Sequence, residues 1–255
     1  MFHKIEELRK KLNQYRPLTT EEVRRLRDEF LIDFTYNSNA IEGNTLTLQE
    51  TAMILNEGIT IAEKPLREHL EAVGHKEAFY YIETLVKDKV EISEKEIKDI
   101  HTLVLMDKPQ HRGVYRRIPV VIQGAVHEPP QPFLVPVLME QLIQEFKEDM
   151  GDKHTIERAA LFHLNFEGIH PFIDGNGRTG RLLLNLELMK AGYPPINIKY
   201  KDRRKYYESF SDYYSNSLDP SMLTDMIKGY VEEELEKYLS VLEVANNYSY
   251  EWEQE

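Results

Sequence analysis

The chain of 255 residues contains no cysteine. That absence excludes disulfide bonds, thiolate zinc sites and cysteine nucleophiles. The sequence also lacks an uninterrupted apolar run of about 18 residues, the length that a membrane-spanning helix needs. Its first residues, MFHKIEELRKK, carry charges where a secretory signal has an apolar stretch. A cytoplasmic protein that contacts no membrane is therefore the expectation.

An excess of basic residues is missing as well. The chain has 32 Lys and Arg against 44 Asp and Glu, which gives a formal net charge of -12. Nucleic-acid-binding proteins use Lys and Arg to displace counterions, so no nucleic-acid partner is expected. A local basic pocket for a nucleotide remains compatible with this balance. The length and the 41% hydrophobic content indicate one globular domain over residues 1–255.

Helical periodicity extends over most of the sequence and predicts a mainly α fold. The segment from Thr19 to Glu22 has the form of a capping box, and the segment from Ser93 to Glu96 repeats it. A strongly apolar helix is expected over residues 178–192, and its apolar character predicts that it is buried.

Two segments depart from the helical pattern. Residues 115–132 contain β-branched residues around Gly124 and several prolines, which predicts a small β-hairpin on the helical body. Residues 244–255 show no periodicity and are expected to fray.

The segment HPFIDGNGRTGR, residues 170–181, contains the pattern G-x-G-x-x-G. A dinucleotide fold requires a strand before the first glycine, whereas an amphipathic helix precedes this one and ends at His170, before Pro171. A Walker A loop is excluded because no Gly-Lys-Ser/Thr follows. The local sequence is therefore helix, loop and helix.

Such a loop can still bind an anion. Glycines at the start of a helix allow a phosphate to approach free backbone N–H groups. Arg178 and Arg181, three residues apart, can hold phosphates from one helix face. Asp174 would repel a phosphate directly but fits a Mg²⁺ ion that bridges to phosphate oxygens. His170, on the other side of the loop, can take a proton from a hydroxyl.

The helix before the loop offers a competing interpretation as a metal site. His163, Glu167 and His170 share one helical face, and Glu167-x-x-His170 matches one ligand pair of a di-iron site. Such a site needs a second E-x-x-H, which the sequence does not contain. Glu167 and His163 are instead expected to satisfy each other or to orient the loop.

The segment HPFIDGNGRTGR resembles the signature of Fic-domain proteins, HPFx(D/E)GNGRxxR, at every defining position. The resemblance extends to the segment from Gly113 to Arg116 and to the residues from Ala191 to Pro195. It implies a mainly α helical bundle with a small β-hairpin flap. It further implies an N-terminal segment, about residues 1–64, and a catalytic core, about residues 93–243.

The resemblance implies an enzyme that transfers AMP from ATP to a Ser, Thr or Tyr hydroxyl of a target protein. His170 would be the general base and Asp174 the Mg²⁺ ligand. The residues implied to bind the phosphates are Gly175, Asn176, Gly177, Arg178 and Arg181. Tyr207 and Tyr214 are candidates for an adenine pocket, although tyrosines on an amphipathic helix are more often part of a core. The flap residues implied to pair with an extended target segment are Val120, Val121, Ile122, Gln123 and Gly124.

A second motif lies near the N-terminus. Glu42 ends a predicted helix before Gly43, where a negative charge opposes the helix dipole, so it is either solvated or paired with a cation elsewhere. The segment from Ser38 to Gly43 resembles the inhibitory motif (S/T)xxxE(G/N) of the family. The resemblance implies that Glu42 pairs with Arg181 and blocks the γ-phosphate, and that Glu42→Gly activates the enzyme.

Three functions remain open from the sequence. The first is an autoinhibited protein adenylyltransferase, and the second is removal of AMP or transfer of another group by the same site. The third is a regulatory module that binds a nucleotide without turnover. The resemblance also admits self-modification and a homodimer.

Overall fold

The computed structural model describes residues 2–15, 19–122, 126–148 and 153–252. These residues form ten α-helices and no β-strand. The helices are α1 (His3–Leu12), α2 (Thr20–Ile41), α3 (Leu48–Glu57), α4 (Leu66–Lys87), α5 (Glu94–Val104), α6 (Val135–Glu148), α7 (Thr155–Ile169), α8 (Asn176–Lys190), α9 (Arg203–Ser215) and α10 (Ser221–Trp252). The expected mainly α fold is confirmed.

Side-chain caps fix where several helices begin. The hydroxyl of Thr19 accepts the N–H of Glu22 at 3.2 Å, and the Glu22 carboxylate accepts the N–H of Thr19 at 2.7 Å. This confirms the predicted capping box of α2. The hydroxyl of Ser93 caps α5 by accepting the N–H of Lys95.

The predicted β-hairpin does not form among the described residues. Residues 113–131, hereafter the flap segment, form coil, a turn and bends wherever they are described. Gln123 and Gly124 lie outside the described residues. Pro119 and the prolines at 129 and 130 lack the N–H groups that a strand ladder needs, which opposes pairing on both sides of the segment. Val121 is 91% exposed.

Helices α7 and α8 lie between two apolar clusters. One cluster packs α2, α4, α5 and α6 against them, around aromatic residues such as Phe79, Phe162 and Phe172. The other packs α1, α9 and α10 against their opposite side, around residues such as Ile5 and Tyr206. Because α8 has an apolar neighbour on both sides, nearly all of it is buried, as its sequence predicts. The packing of both helices therefore fixes the position of the turn that joins α7 to α8.

The C-terminal helix α10 includes residues 244–252, for which the sequence shows no helical periodicity. Among the described residues, no helix combines the length and the apolar character needed to cross a membrane.

Candidate active site

The signature segment forms the turn between α7 and α8. His170 ends α7 in the left-handed conformation, with φ of 49°, and its N–H donates to the carbonyl of Phe166 at 3.0 Å. Left-handed backbone is uncommon for a residue other than glycine and is often found at functional sites. Gly175, also left-handed with φ of 77°, precedes the first residue of α8. The turn thus brings His170 and the start of α8 together.

The side chain of Asn176 closes this turn. Its Oδ1 accepts the N–H of Phe172 at 2.9 Å, and its Nδ2 donates to the carbonyl of Phe172 at 2.9 Å. Only its backbone therefore remains for the anion-binding role implied by the resemblance. The first three N–H groups of α8 have no partner within the helix, as at any helix start. The helix dipole also places partial positive charge there.

The side chain of His101, on α5, stabilises the turn between α7 and α8. Its Nδ1 accepts the N–H of Gly113 at 2.9 Å, so the proton lies on Nε2, which donates to the carbonyl of Asp174 at 2.9 Å. The ring stacks on Phe172 with centroids 3.6 Å apart. Burial lowers the pKa of His101 to about 4, so the imidazole is neutral at neutral pH. No sequence motif identifies this residue.

Arg178 and Arg181 are both buried at the start of α8. Arg178 lies 3.6 Å from a carboxylate oxygen of Glu71 and 3.5 Å from one of Asp174. Nε and Nη1 of Arg178, and Nη1 of Arg181, find no hydrogen-bond acceptor among the described residues. Buried donors without an acceptor are rare and costly, the more so in a charged group. These unpaired donors are therefore available to an anion.

Glu42 occupies part of that site. Its Oε1 accepts a hydrogen bond from Nη2 of Arg181 at 2.8 Å. Arg181 also donates to the hydroxyl of Ser38 at 3.0 Å and to its carbonyl at 2.7 Å. Burial acts against the charge of Arg181, yet the Glu42 carboxylate and the Tyr206 hydroxyl together more than offset it and raise the pKa of the guanidinium. The structure thus brings together Ser38 and Glu42 of the N-terminal motif and Arg181 of the signature segment.

Two glycines allow this approach. A Cβ atom on Gly177 would lie 2.1 Å from Oε1 of Glu42, so a glycine is needed for Glu42 to reach Arg181 as it does. Gly43, with φ of 90°, follows Glu42 in the backbone conformation that glycine adopts most readily. Glu42 itself is the C-cap of α2.

The carboxylate of Asp174 lies beside two cationic side chains, those of Lys108 and Arg178. One carboxylate oxygen forms an ion pair with Nζ of Lys108, and the other accepts the N–H of Gly175 at 2.6 Å. Although burial acts to raise it, Lys108 and Arg178 hold the pKa of Asp174 below its usual value. Lys108 lies in the loop after α5, and the sequence patterns do not single it out.

His170 has its side chain mostly buried beside Glu167. Burial lowers the pKa of His170 to about 4, so the imidazole is neutral at neutral pH. Its Nδ1 lies 3.7 Å from Oε2 of Glu167. Burial and the charge of Glu42 raise the pKa of Glu167 to about 8. A neutral imidazole is the form of histidine that can accept a proton.

Of the two expectations for Glu167 and His163, the one that they satisfy each other is wrong, and the one that they orient the loop stays a prediction. Nε2 of His163 is paired with the hydroxyl of Tyr206 at 2.6 Å. Nδ1 of His163 and Oε1 of Glu167 find no hydrogen-bond partner among the described residues. Both groups pack instead against Gly180 of α8.

Gly180 yields a stability prediction. A Cβ atom there would lie 2.4 Å from Oε1 of Glu167 and 2.8 Å from Cε1 of His163, in a buried part of the molecule. We expect Gly180→Ala to lower the free energy of unfolding by about 1–3 kcal/mol through overpacking, measured by urea denaturation. Gly229→Ala is the matched control, because a Cβ on Gly229 of α10 meets nothing within 4 Å. Equal denaturation midpoints for the two variants would contradict the packing described.

Tyr207 and Tyr214, the two candidates for an adenine pocket, contact different parts of the molecule. The hydroxyl of Tyr207 donates to the carbonyl of Ile41 at 3.1 Å, beside Glu42. Tyr214 donates to the carbonyl of Leu164 at 3.0 Å and stacks on His127 of the flap segment, with centroids 3.7 Å apart. Their adenine-binding role stays a prediction.

Comparisons with known proteins identify relatives of this chain. The sequence model that defines the Fic/DOC family matches residues 91–188 of this chain. Curated relatives named "Protein adenylyltransferase Fic" include that of Drosophila willistoni, 38% identical over 219 residues, which are 85% of this chain and 43% of that protein. The relative from Drosophila erecta is 37% identical over the same shares. The chain therefore spans less than half the length of these relatives.

Solved structures extend the match over nearly the whole chain. A Fic-domain-containing signaling protein from Bacteroides thetaiotaomicron is 29% identical, with a TM-score of 0.86 and coverage of 94% of this chain and 97% of that one. Fic-1 from C. elegans is 30% identical, with a TM-score of 0.84 and coverage of 96% and 72%. By sequence and by fold, this chain belongs to the Fic/DOC family.

Proposed function

We propose that the protein transfers AMP from ATP to a Ser, Thr or Tyr hydroxyl of a target protein, and that Glu42 restrains this activity. The observation that carries the proposal is the set of buried arginine N–H groups without acceptors at the start of α8, on the turn that also holds His170. The curated relatives named protein adenylyltransferase support AMP as the transferred group.

The nucleotide is bound mainly through its phosphates. The free N–H groups at the start of α8 point outward from the helix and suit phosphate oxygens. Arg178 and Arg181 supply the unsatisfied donors, and their planar guanidinium groups match phosphate geometry. Because both arginines are buried, little conformational freedom is lost when a phosphate binds, and the donors are held ready for charge in the transition state.

His170 performs the proton transfer. Since its Nδ1 faces Glu167, Nε2 is the atom that takes the proton from the target hydroxyl. The hydroxyl oxygen bonds to the α-phosphorus of ATP, and the bond from that phosphorus to the oxygen bridging to the β-phosphate breaks. AMP is then attached to the target and pyrophosphate leaves. Because burial keeps the imidazole neutral, the base is ready at neutral pH.

Asp174 is the residue that would hold Mg²⁺. Its carboxylate lies beside the phosphate-binding turn and already attracts the cationic groups of Lys108 and Arg178, which fits a divalent cation. Mg²⁺ is commonly held by one or two carboxylates together with substrate phosphates. When bound, the ion would neutralise phosphate charge and orient the triphosphate.

Lys108 is expected to compete with the metal for Asp174. In a Glu42→Gly background, Lys108→Met should lower the Mg²⁺ concentration for half-maximal ATP binding about fivefold, because an ion pair of this exposure contributes up to about 1 kcal/mol. Calorimetric titration of ATP at stepped Mg²⁺ concentrations measures this. Lys153→Met is the control, since Lys153 pairs with Glu157 at 3.8 Å outside the site. Weaker ATP binding in Lys108→Met at saturating Mg²⁺ would contradict competition and indicate a phosphate contact.

Glu42 restrains the activity by competing with the nucleotide. A carboxylate and a phosphate both use the guanidinium fork of Arg181, and they cannot use it at once. Arg181 is 1% exposed, so its pairing with Glu42 is stronger than an exposed ion pair would be.

The position of the label distinguishes AMP transfer from the other candidate functions. In the presence of Mg²⁺ and a cell lysate as a source of target proteins, Glu42→Gly should attach label from α-labelled ATP and none from γ-labelled ATP. Label from the γ-position would indicate phosphate transfer. ATP binding without any label would support a regulatory nucleotide-binding module. Loss of label from a pre-modified protein would indicate AMP removal by the same site.

A further inference from the structure

Arg116, at the base of the flap segment, makes a dense set of contacts that the steps above do not use. It is 3% exposed. Its Nε donates to the carbonyl of His170 at 2.8 Å, and its Nη2 donates to the carbonyls of Pro130 at 2.6 Å and Ile169 at 3.3 Å. Its Nη1 donates to the carbonyl of Ile118 at 3.4 Å. Within the described part of the chain, all of its side-chain partners are main-chain carbonyls.

These carbonyls belong to two parts of the molecule. Ile169 and His170 end α7, where the last carbonyls have no partner within the helix. The backbone N–H of Arg116 adds a bond to the carbonyl of Pro171 at 2.9 Å, so three consecutive carbonyls of the turn accept from this one residue. Ile118 and Pro130 lie on the two sides of the flap segment. One guanidinium therefore ties both sides of the flap segment to the His170 turn.

No carboxylate balances this guanidinium within the described residues, where no salt bridge includes it. A buried charge is costly unless its hydrogen bonds are well formed, and an apolar residue would stabilise the same packing more simply. The planar fork, however, can reach several acceptors in fixed directions, which neither an apolar side chain nor a lysine can do. This points to a role in geometry.

We propose that Arg116 is a positioning residue that couples the flap segment to His170. It holds His170 in its left-handed conformation and keeps the two sides of the flap segment at a fixed place relative to the imidazole. A target segment held by the flap would then present its hydroxyl at the base. This inference rests on the proposed function for its kinetic consequence, but the coupling itself does not depend on it.

The kinetic test compares variants in a Glu42→Gly background. Arg116→Met should lower kcat for AMP transfer about 100-fold, as expected when reacting groups are displaced by about 1 Å. The Kd for ATP should stay within about twofold, because Arg116 contacts none of residues 174–181. Arg116→Lys should recover less than tenfold, since an ammonium cannot span the same acceptors. Arg158→Met is the control: Arg158 of α7 also donates to a carbonyl, that of Phe146 at 3.3 Å, and its loss should leave kcat unchanged.

Hydrogen–deuterium exchange tests the coupling without any activity. Arg116→Met should increase exchange together in peptides covering residues 117–131 and residues 166–172, and nowhere else. A kcat within threefold of the parent with unchanged exchange would overturn the proposal. Increased exchange throughout the chain together with lost ATP binding would also overturn it, in favour of a role in folding. If the Glu42→Gly parent transfers no AMP, the proposed function fails while the exchange result still decides the role of Arg116.

Discussion

Glu42→Gly should raise the attachment of label from α-labelled ATP at least tenfold over wild type. The change removes the carboxylate that pairs with Arg181 at 2.8 Å and leaves the guanidinium free for a phosphate. A tenfold change corresponds to about 1.4 kcal/mol, which a partly buried charged hydrogen bond can supply. Because Gly43 already terminates α2, a glycine at the preceding C-cap position should leave the end of the helix intact.

The matched control for this variant is Glu57→Gly. Glu57 also ends a helix, α3, before a left-handed glycine, Gly58, but it lies outside the phosphate-binding site. Both variants therefore replace a glutamate that directly precedes a left-handed glycine at a helix end, the C-cap in α2 and the last helical residue in α3. Glu42→Gln should give an intermediate result, since it keeps a hydrogen-bond acceptor and loses the charge. Equal labelling by the two glycine variants would contradict competition between Glu42 and the nucleotide.

His170→Ala, made in the Glu42→Gly background, should lower kcat for AMP transfer about 10²- to 10⁴-fold, the range for loss of a general base. The Kd for ATP should change little, because the arginines and the N–H groups at the start of α8 remain in place. Single-turnover labelling and calorimetric ATP titration measure the two quantities separately.

His3→Ala is the control for this second variant, because the side chain of His3 is 85% exposed and remote from the turn. If His170→Ala kept kcat within threefold of its parent, another group would have to accept the proton. Loss of ATP binding in the same variant would instead indicate that His170 supports the turn and does not act as a base.

The turn between α7 and α8 could be predicted because its residues are contiguous. A helix, a proline, a glycine pair and two arginines within residues 170–181 specify helix, turn and helix through local rules alone. Asn176 shows the limit of such rules. Its residue type suits an anion site, but in the packed turn its side chain forms hydrogen bonds with both the N–H and the carbonyl of Phe172.

The pairing of Glu42 with Arg181 could not be derived from spacing. The two residues are 139 positions apart, and only the family resemblance connected them. Sequence reasoning could state that a glutamate at a helix C-terminus needs a cation or solvent, but not which cation.

The roles of three site residues could not be predicted because no sequence pattern marks their partners. Arg116 and His101 bond to main-chain atoms, which every residue type provides, so no sequence pattern marks the partner. Lys108 meets Asp174 from a loop with no motif of its own. The prediction of a β-hairpin in the flap segment was wrong for a different reason. The β-branched residues of this segment favour a strand, but strand pairing needs N–H groups that its prolines lack.

The most direct test of the account is one labelling experiment with three proteins. Wild type, Glu42→Gly and the double variant Glu42→Gly with His170→Ala are incubated with α-labelled ATP, Mg²⁺ and a cell lysate, and label on protein is measured. Strong label with Glu42→Gly, weak label with wild type and none with the double variant is the expected result. No label with any of the three, under conditions where each binds ATP, would contradict AMP transfer as the function of this site.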